Sequence, residues 1–254
     1  MKKNRDREKL FIAEGQKLVT DALQAGWTIR TLLHGKKALD DDILRPQIET
    51  LTTKVHAAGG DILIVSDKIL SAITRRDNAQ TIIAVIEQKL VGLNDIEPAG
   101  NDVWLALDRV RDPGNLGTIL RTCDALGAKA VVLVGETTDP FALEAVRATM
   151  GSLFHIPLMR ATESDFIAFM DKWKNQHKGA TIGTHLKGSV DHRSLDYSAG
   201  PQLLLLGNEQ QGLTDELTRA CSNLVRIPMA GAADSLNLAI ASGIMLFEAR
   251  RHAL

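Results

Sequence analysis

Three segments of this 254-residue chain, VWLAL at 103–107, AVVLV at 130–134 and QLLLL at 202–206, are strand-length runs with almost no polar residue. A strand with one wet face alternates apolar and polar side chains, so unbroken runs have both faces buried, the habit of parallel sheets covered by helices. Between and after them lie stretches with helical spacing at 115–126, 142–150, 163–177, 214–220 and 235–250, and shorter apolar strands at Phe154–Leu158, Ala180–Thr184 and Leu224–Ile227. This alternation predicts an α/β domain with a mostly parallel sheet and helices on both faces. Ligands of such sheets sit beyond the carboxyl ends of the strands.

The first ninety residues form a smaller α/β pattern. Apolar spacing from Phe11 to Leu23 predicts an amphipathic helix ended by Gly26, followed by a strand at Ile29–Leu33. Ile48, Leu51 and Val55 mark a helix over 43–58, Ile62–Val65 a strand, Ser66 the cap of a helix through Ile73, and Thr81–Ile86 another strand. VGLNDIEPAGND at 91–102 is rich in Gly, Pro, Asn and Asp and has no periodicity. It reads as a linker, giving domains at 1–90 and 103–254.

Thirty Lys and Arg against 31 Asp and Glu leave a net charge of −1, which by itself gives no footprint for a polyanion. Split by region, residues 1–95 hold 15 basic and 13 acidic residues, and 96–254 hold 15 and 18. Basic residues cluster at Lys2, Lys3, Arg5, Arg7 and Lys9, and again at Arg75 and Arg76. The neutral total therefore does not exclude RNA, but it predicts binding through a few placed arginines. Cys123 and Cys221 have no metal-type or redox-type spacing and read as buried free thiols of a reducing compartment. The charged start MKKNRDREKL is unlike a signal peptide, and no apolar run approaches the ~20 residues of a membrane span, so a cytoplasmic protein is expected.

Three glycine-containing loops follow the apolar strands. In DRVRDPGNLGTILRTCDALG, 108–127, Gly114 and Gly117 allow close backbone approach, and Asn115 is placed either to cap the next helix or to meet a ligand. The spacing is GxxG, without the GxGxxG and distant acidic residue of a dinucleotide site, which disfavours an oxidoreductase. Arg121 lies among Ile119, Leu120 and Leu126, where a guanidinium needs a polar or anionic partner. In LLLLGNEQQGLTDEL, 203–217, Gly207 and Gly212 frame a turn holding Asn208 and Glu209, the carboxylate being either a helix cap or a functional group. In IPMAGAADSLNLAIASGIMLFEARR, 227–251, Ser235 reads as an N-cap and Asn237 as an early-helix amide.

Together, in this order and spacing, the three loops resemble the SpoU (TrmH) family of RNA ribose 2'-O-methyltransferases of the SPOUT superfamily, and RATMGSLFHIPL at 147–158 extends the likeness. More loosely, FIAEGQKLVTDALQAG and IVSDKILSAIT are similar to that family's small α/β (L30e-like) substrate-binding domain, although RRDNAQTIIAV at 75–85 departs from its usual turn. The resemblance implies a trefoil-knotted, mostly parallel sheet, which periodicity does not reveal and general topology disfavours. It also implies S-adenosylmethionine as methyl donor, no metal, and a homodimer joined through the second domain. Gly207, Ile227 and Leu236 match backbone positions that hold the cofactor, with Thr184, Asn208, Gly212, Met229 and Ser235 nearby.

The same resemblance implies catalytic roles for Asn115, Arg121, Glu209, Ser235 and Asn237. An arginine stays protonated, so Arg121 is expected to bind an RNA phosphate and lower the effective pKa of the ribose hydroxyl, not to act as the base. Asn115 is expected to orient the ribose or its phosphate, and Glu209 to orient the loop or Arg121. Arg5, Arg7, Arg75, Arg76 and Arg147 are candidate RNA contacts. His155 and His185 lack metal-ligand partners in the sequence and read as structural. The expected substrate is structured RNA, with 23S ribosomal RNA ahead of transfer RNA; a non-catalytic RNA-binding relative is the alternative.

Overall fold

The computed structural model describes residues 2–75, 77, 80–186, 188 and 190–253. They divide into two compact units: residues 1–89 with 139–155, and residues 90–138 with 156–254. The chain starts the first unit with α1 (Lys2–Glu8), β1 (Leu10–Glu14), α2 (Gln16–Gln24), β2 (Ile29–Gly35), α3 (Leu44–Ala57), β3 (Asp61–Val65), α4 (Asp67–Thr74) and β4 (Ile82–Glu87). It begins the second with β5 (Val103–Asp108), α5 (Pro113–Ala125) and β6 (Ala130–Val134), then returns to the first for α6 (Leu143–Thr149). The second unit is completed by β7 (Leu158–Ala161), α7 (Glu163–Asn175), β8 (Ala180–Thr184), β9 (Val190–Asp191), β10 (Gln202–Leu206), α8 (Asp215–Ala220), β11 (Asn223–Arg226) and α9 (Leu238–Arg250).

In the first unit a four-stranded sheet runs β1-β4-β2-β3, with β4 antiparallel to both neighbours and β2 parallel to β3. The helix expected from Phe11 to Leu23 is a strand and a helix. Phe11 pairs with Ile86 and Ala13 with Ala84, and Gly15, at a φ of 92° that favours glycine, separates β1 from α2. Over so few residues the two periodicities coincide, and pairing with β4 decides. Ile48, Leu51 and Val55 are all buried along α3, as their spacing predicts.

Residues 139–155, which the sequence groups with the second half, pack in this first unit. Phe11 lies 5.0 Å from Phe141 and 5.9 Å from Trp27 between ring centroids, and Trp27 lies 5.3 Å edge-on to Phe154. Trp27 also donates to the Phe154 carbonyl at 3.1 Å. Such an aromatic cluster contributes through both its buried area and its edge-to-face geometry. The strand expected at Phe154–Leu158 is a single 3₁₀ turn, Ser152–Phe154, with β7 starting only after Pro157, whose missing N–H cannot serve a ladder.

The second unit holds a seven-stranded sheet, β7-β6-β5-β10-β8-β11-β9, in which every pairing is parallel. The three apolar runs of the sequence are its adjacent interior strands β6, β5 and β10, and each residue of the three is buried. Trp104, Val132, Leu203 and Leu205 pack against Phe166, Phe169, Trp173 and Leu217 of α7 and α8. The alternate residues face α5 and α9, which pack on each other and on the same strands. Segment 91–102 belongs to this unit and is fastened to it. Val91 pairs with Met159, Leu93 and Ile96 join the core, and Lys172 donates to Glu97 at 2.8 Å. Among the described residues no helix is long and apolar enough to cross a membrane.

Candidate active site

Strand order reverses between β5 and β10, and the loops leaving their carboxyl ends are the first two glycine-rich loops of the sequence. This is where open α/β sheets bind ligands. A cavity of about 710 Å³ opens there, within the second unit. All eight residues that the resemblance connects with the cofactor line it: Thr184 at the end of β8; Gly207, Asn208 and Gly212 after β10; and Ile227, Met229, Ser235 and Leu236 after β11. The size suits a nucleoside-bearing ligand.

The wall formed by 207–213 has a conformation that requires glycine at 207 and favours it at 212. A Cβ on Gly207 would overlap the Gly212 carbonyl carbon and the Leu213 nitrogen, so the backbone closes on itself there. Asn208 and Gly212 exchange backbone hydrogen bonds at 3.1 and 2.8 Å, and Gly212 takes a φ of 70°. The Asn208 side-chain oxygen accepts from the Gln210 and Gln211 amides at 2.9 and 3.2 Å, and its Nδ2 donates to the Arg109 carbonyl at 2.9 Å. Asn208 is thus the internal brace of the turn.

A hydrogen-bond chain joins all three loops. Asn115 Nδ2 donates to Glu209 Oε1 at 3.1 Å, and Asn115 Oδ1 accepts from Asn237 Nδ2 at 3.0 Å. The side chain of Asn115 is available because Asp112 caps α5 in its place, accepting from the Asn115 backbone N–H at 2.6 Å. Pro113 takes the first helical position, where a missing N–H costs nothing. The last helix likewise starts later than its sequence suggests. Its N-cap is Asn237, whose Oδ1 accepts from the Ala239 and Ile240 amides, and exposed Ser235 lies before it on the cavity lining.

Residues 102–247 match the family model described as SpoU rRNA Methylase family. The chain belongs to the SpoU rRNA methylase family. Residues 1–84 match the MRM3-like substrate binding domain. Among solved structures, the AdoMet-bound rRNA methyltransferase from Sinorhizobium meliloti is 54% identical, with a TM-score of 0.92 over 100% of this chain and 92% of its own. A 23S rRNA (uridine(2479)-2'-O)-methyltransferase from Streptomyces viridochromogenes is 32% identical over 97% of this chain and 84% of its own length. A 23S rRNA (guanosine(2553)-2'-O)-methyltransferase from Bacillus subtilis is 31% identical over 98% and 92%.

The arginines of this SpoU chain fall into two groups. Arg121 is exposed two turns into α5, over buried Ile119 and Leu120, and has no ion pair or hydrogen bond among the described residues. Its apolar sequence neighbours face inward while it faces water, so burial does not dictate a partner. Arg147, expected from the sequence to contact RNA, pairs with buried Glu14 of β1 and donates to the Thr74 carbonyl at 2.8 Å. Arg5 pairs with Asp139 at 2.6 Å and Arg7 with neighbouring Glu8 at 2.7 Å. Arg75 is exposed at a φ of 55°, and Arg76 lies outside the described residues.

One residue of the SpoU site carries no sequence flag as a ligand. Arg109 immediately follows β5 at a φ of 51°, and both its Nε and Nη2 donate to the buried Asp108 carboxylate at 2.9 Å. Hydrogen bonding to Asp108, opposed by partial desolvation and aided by its charge, holds the guanidinium above its usual pKa. Its remaining N–H groups reach the 207–213 wall, with Nη1 donating to Gln211 Oε1 at 2.7 Å and Nη2 to the Gly212 carbonyl at 3.1 Å. The signal available in the sequence is the neighbouring carboxylate alone.

Proposed function

We propose that this chain is an S-adenosylmethionine-dependent methyltransferase that modifies a ribose 2'-hydroxyl in 23S ribosomal RNA. The observation that carries the reading is the convergence of Asn115, Glu209 and Asn237 in one hydrogen-bond chain against a cavity whose wall requires glycine at 207. It agrees with the activities named for the Streptomyces and Bacillus relatives.

The methyl donor supplies an electrophilic carbon on a sulfonium, which calls for neither a metal nor a covalent enzyme intermediate. Gly207 and Gly212 line the cavity without side chains, and Leu236 and Ile227 give it apolar surface, a lining suited to a nucleoside with a sulfonium side arm. Asn115, fixed between Glu209 and Asn237, is held to orient the ribose. Positioning of this kind supplies much of the rate in a displacement. Arg121, unpaired among the described residues, supplies a permanent charge that binds an RNA phosphate and stabilises the hydroxyl as it loses its proton.

The first unit serves RNA recognition in this reading, in line with its match to a substrate binding domain. The reading also includes the threaded knot, a cytoplasmic location and a homodimer through α9, which leaves Ile240 and Phe247 57% and 58% exposed. Incubation with a tritiated methyl donor and separate ribosomal and transfer RNA pools, followed by mapping of alkali-resistant positions, tests the reaction. Label at a 2'-O of 23S RNA is expected. Label on a base, or on transfer RNA alone, overturns the proposal, as does cofactor binding without transfer. Sedimentation of a Phe247→Glu variant tests the dimer, with a shift to monomer expected.

A further inference from the structure

We infer that Arg109 is a positioning residue that holds the cavity wall 207–213 in the shape that accepts the methyl donor. The inference rests on the proposed function for what the cavity binds, but the clamp itself is a property of the loop. Three residues of the wall are tied to this one side chain and its backbone: Asn208 through the Arg109 carbonyl, Gln211 through Nη1 and Gly212 through Nη2. The guanidinium is itself oriented from behind by the Asp108 carboxylate, which is 3% exposed and holds two of its N–H groups. A planar fork fixed on one edge can present the other edge in only one direction.

The backbone is specialised to match. A left-handed φ of 51° is uncommon outside glycine, and it turns the Arg109 carbonyl to Asn208 while its N–H bonds the Val134 carbonyl at 3.0 Å. A residue chosen only for that conformation would be glycine. Arginine at this position fits the additional task of reaching across from the β5 loop to the β10 loop. Because Glu209 of the same wall bonds Asn115, the clamp couples the cofactor side of the site to the residue assigned to the ribose.

The φ of Arg109 supplies an unusually clean test, since Arg109→Gly keeps the backbone and its bond from Asn208 and deletes the guanidinium alone. In the ligand-free protein, amide exchange at Gln211 to Leu213 is expected to speed up about tenfold, with amides of β5 and β10 unchanged. The dissociation constant for S-adenosylmethionine, measured by calorimetry, is expected to rise about tenfold, as is its KM, while kcat at saturating cofactor falls less than threefold. Arg109→Lys, which keeps the charge without the fork, should recover only part of the loss. Unchanged exchange in the 211–213 segment overturns the inference whatever the cofactor does, and so does faster exchange with unaltered cofactor affinity. If the parent protein binds no S-adenosylmethionine, the proposed function fails, and the inference that this wall serves the cofactor falls with it even where exchange reports the clamp.

Discussion

Asn237 donates its side-chain amide to Asn115 Oδ1 at 3.0 Å while its own Oδ1 caps α9, so one side chain both starts a helix and fixes a site residue 122 positions away. The two jobs separate by substitution. Asn237→Ser retains a capping oxygen and loses the reach to Asn115, so melting temperature should hold within a few degrees while methyl transfer falls ten- to a hundredfold. Asn237→Ala should lose both, with about 1 kcal/mol of stability gone. Thermal scans beside single-turnover assays distinguish the pair, and equal activity of Asn237→Ser and parent would remove Asn237 from the site.

Arg121 should behave in the opposite way. Because it is exposed and unpaired among the described residues, Arg121→Ala is expected to change stability by less than ~0.5 kcal/mol. Methyl transfer should nonetheless drop at least a hundredfold, and Arg121→Lys at least tenfold, since an ammonium lacks the bidentate fork. Near-full turnover by Arg121→Lys would sink the phosphate-clamping role.

Gly207→Ala tests the closed wall of the cavity. Its new methyl must displace the Gly212 and Leu213 backbone, a change that costs on the order of 1–3 kcal/mol and moves the lining. Calorimetry should register loss of S-adenosylmethionine binding while the far-ultraviolet dichroism of the sheet persists.

Arg147→Ala should read as a stability defect. It removes the guanidinium shared by the buried Glu14 carboxylate and the Thr74 carbonyl, at a cost of about 2–3 kcal/mol, less than a fully buried pair because Arg147 is 22% exposed. Chemical denaturation measures this directly. A large loss of RNA affinity with no loss of stability would contradict this and support the RNA-contact role expected from the sequence.

The two thiols set an alkaline limit. Burial pushes Cys221 up to about 12, with Lys174 opposing, and pushes fully buried Cys123 higher still. Folded pKa values above that of an unfolded thiol, about 9.0, mean that their contribution is fully present below pH 9 and is lost as pH rises towards 12. Disulfide-exchange reagents at pH 8 should therefore reach buried Cys123 at a rate set by unfolding and half-buried Cys221 only slowly. Rapid labelling of both cysteines in the folded protein would contradict this.

The seven-stranded sheet was legible because β5, β6 and β10 bury both faces and carry polar residues only at their ends, Asp108 and Gln202. The three loops were legible as a set because each combines glycines with polar side chains at the end of such a strand. What local pattern could not carry was set by partners far along the chain. Phe11 and Ile12 fit a helix until β4 pairs with them, and Arg147 faces a carboxylate 133 residues away. Asp112 displaces Asn115 as the cap through a choice between two good capping residues three positions apart. The conformation of Arg109 is invisible because nothing in its residue type favours a positive φ.

Since Asp139–His155 completes the first unit, a ribosome making this chain cannot release a finished N-terminal unit when residue 89 emerges. The ring of Trp27 waits for Phe154, 127 residues later, which at ordinary synthesis rates is roughly 6–25 s with an aromatic face uncovered. Only when the later segment arrives can the Trp27 N–H reach the Phe154 carbonyl and the first unit close.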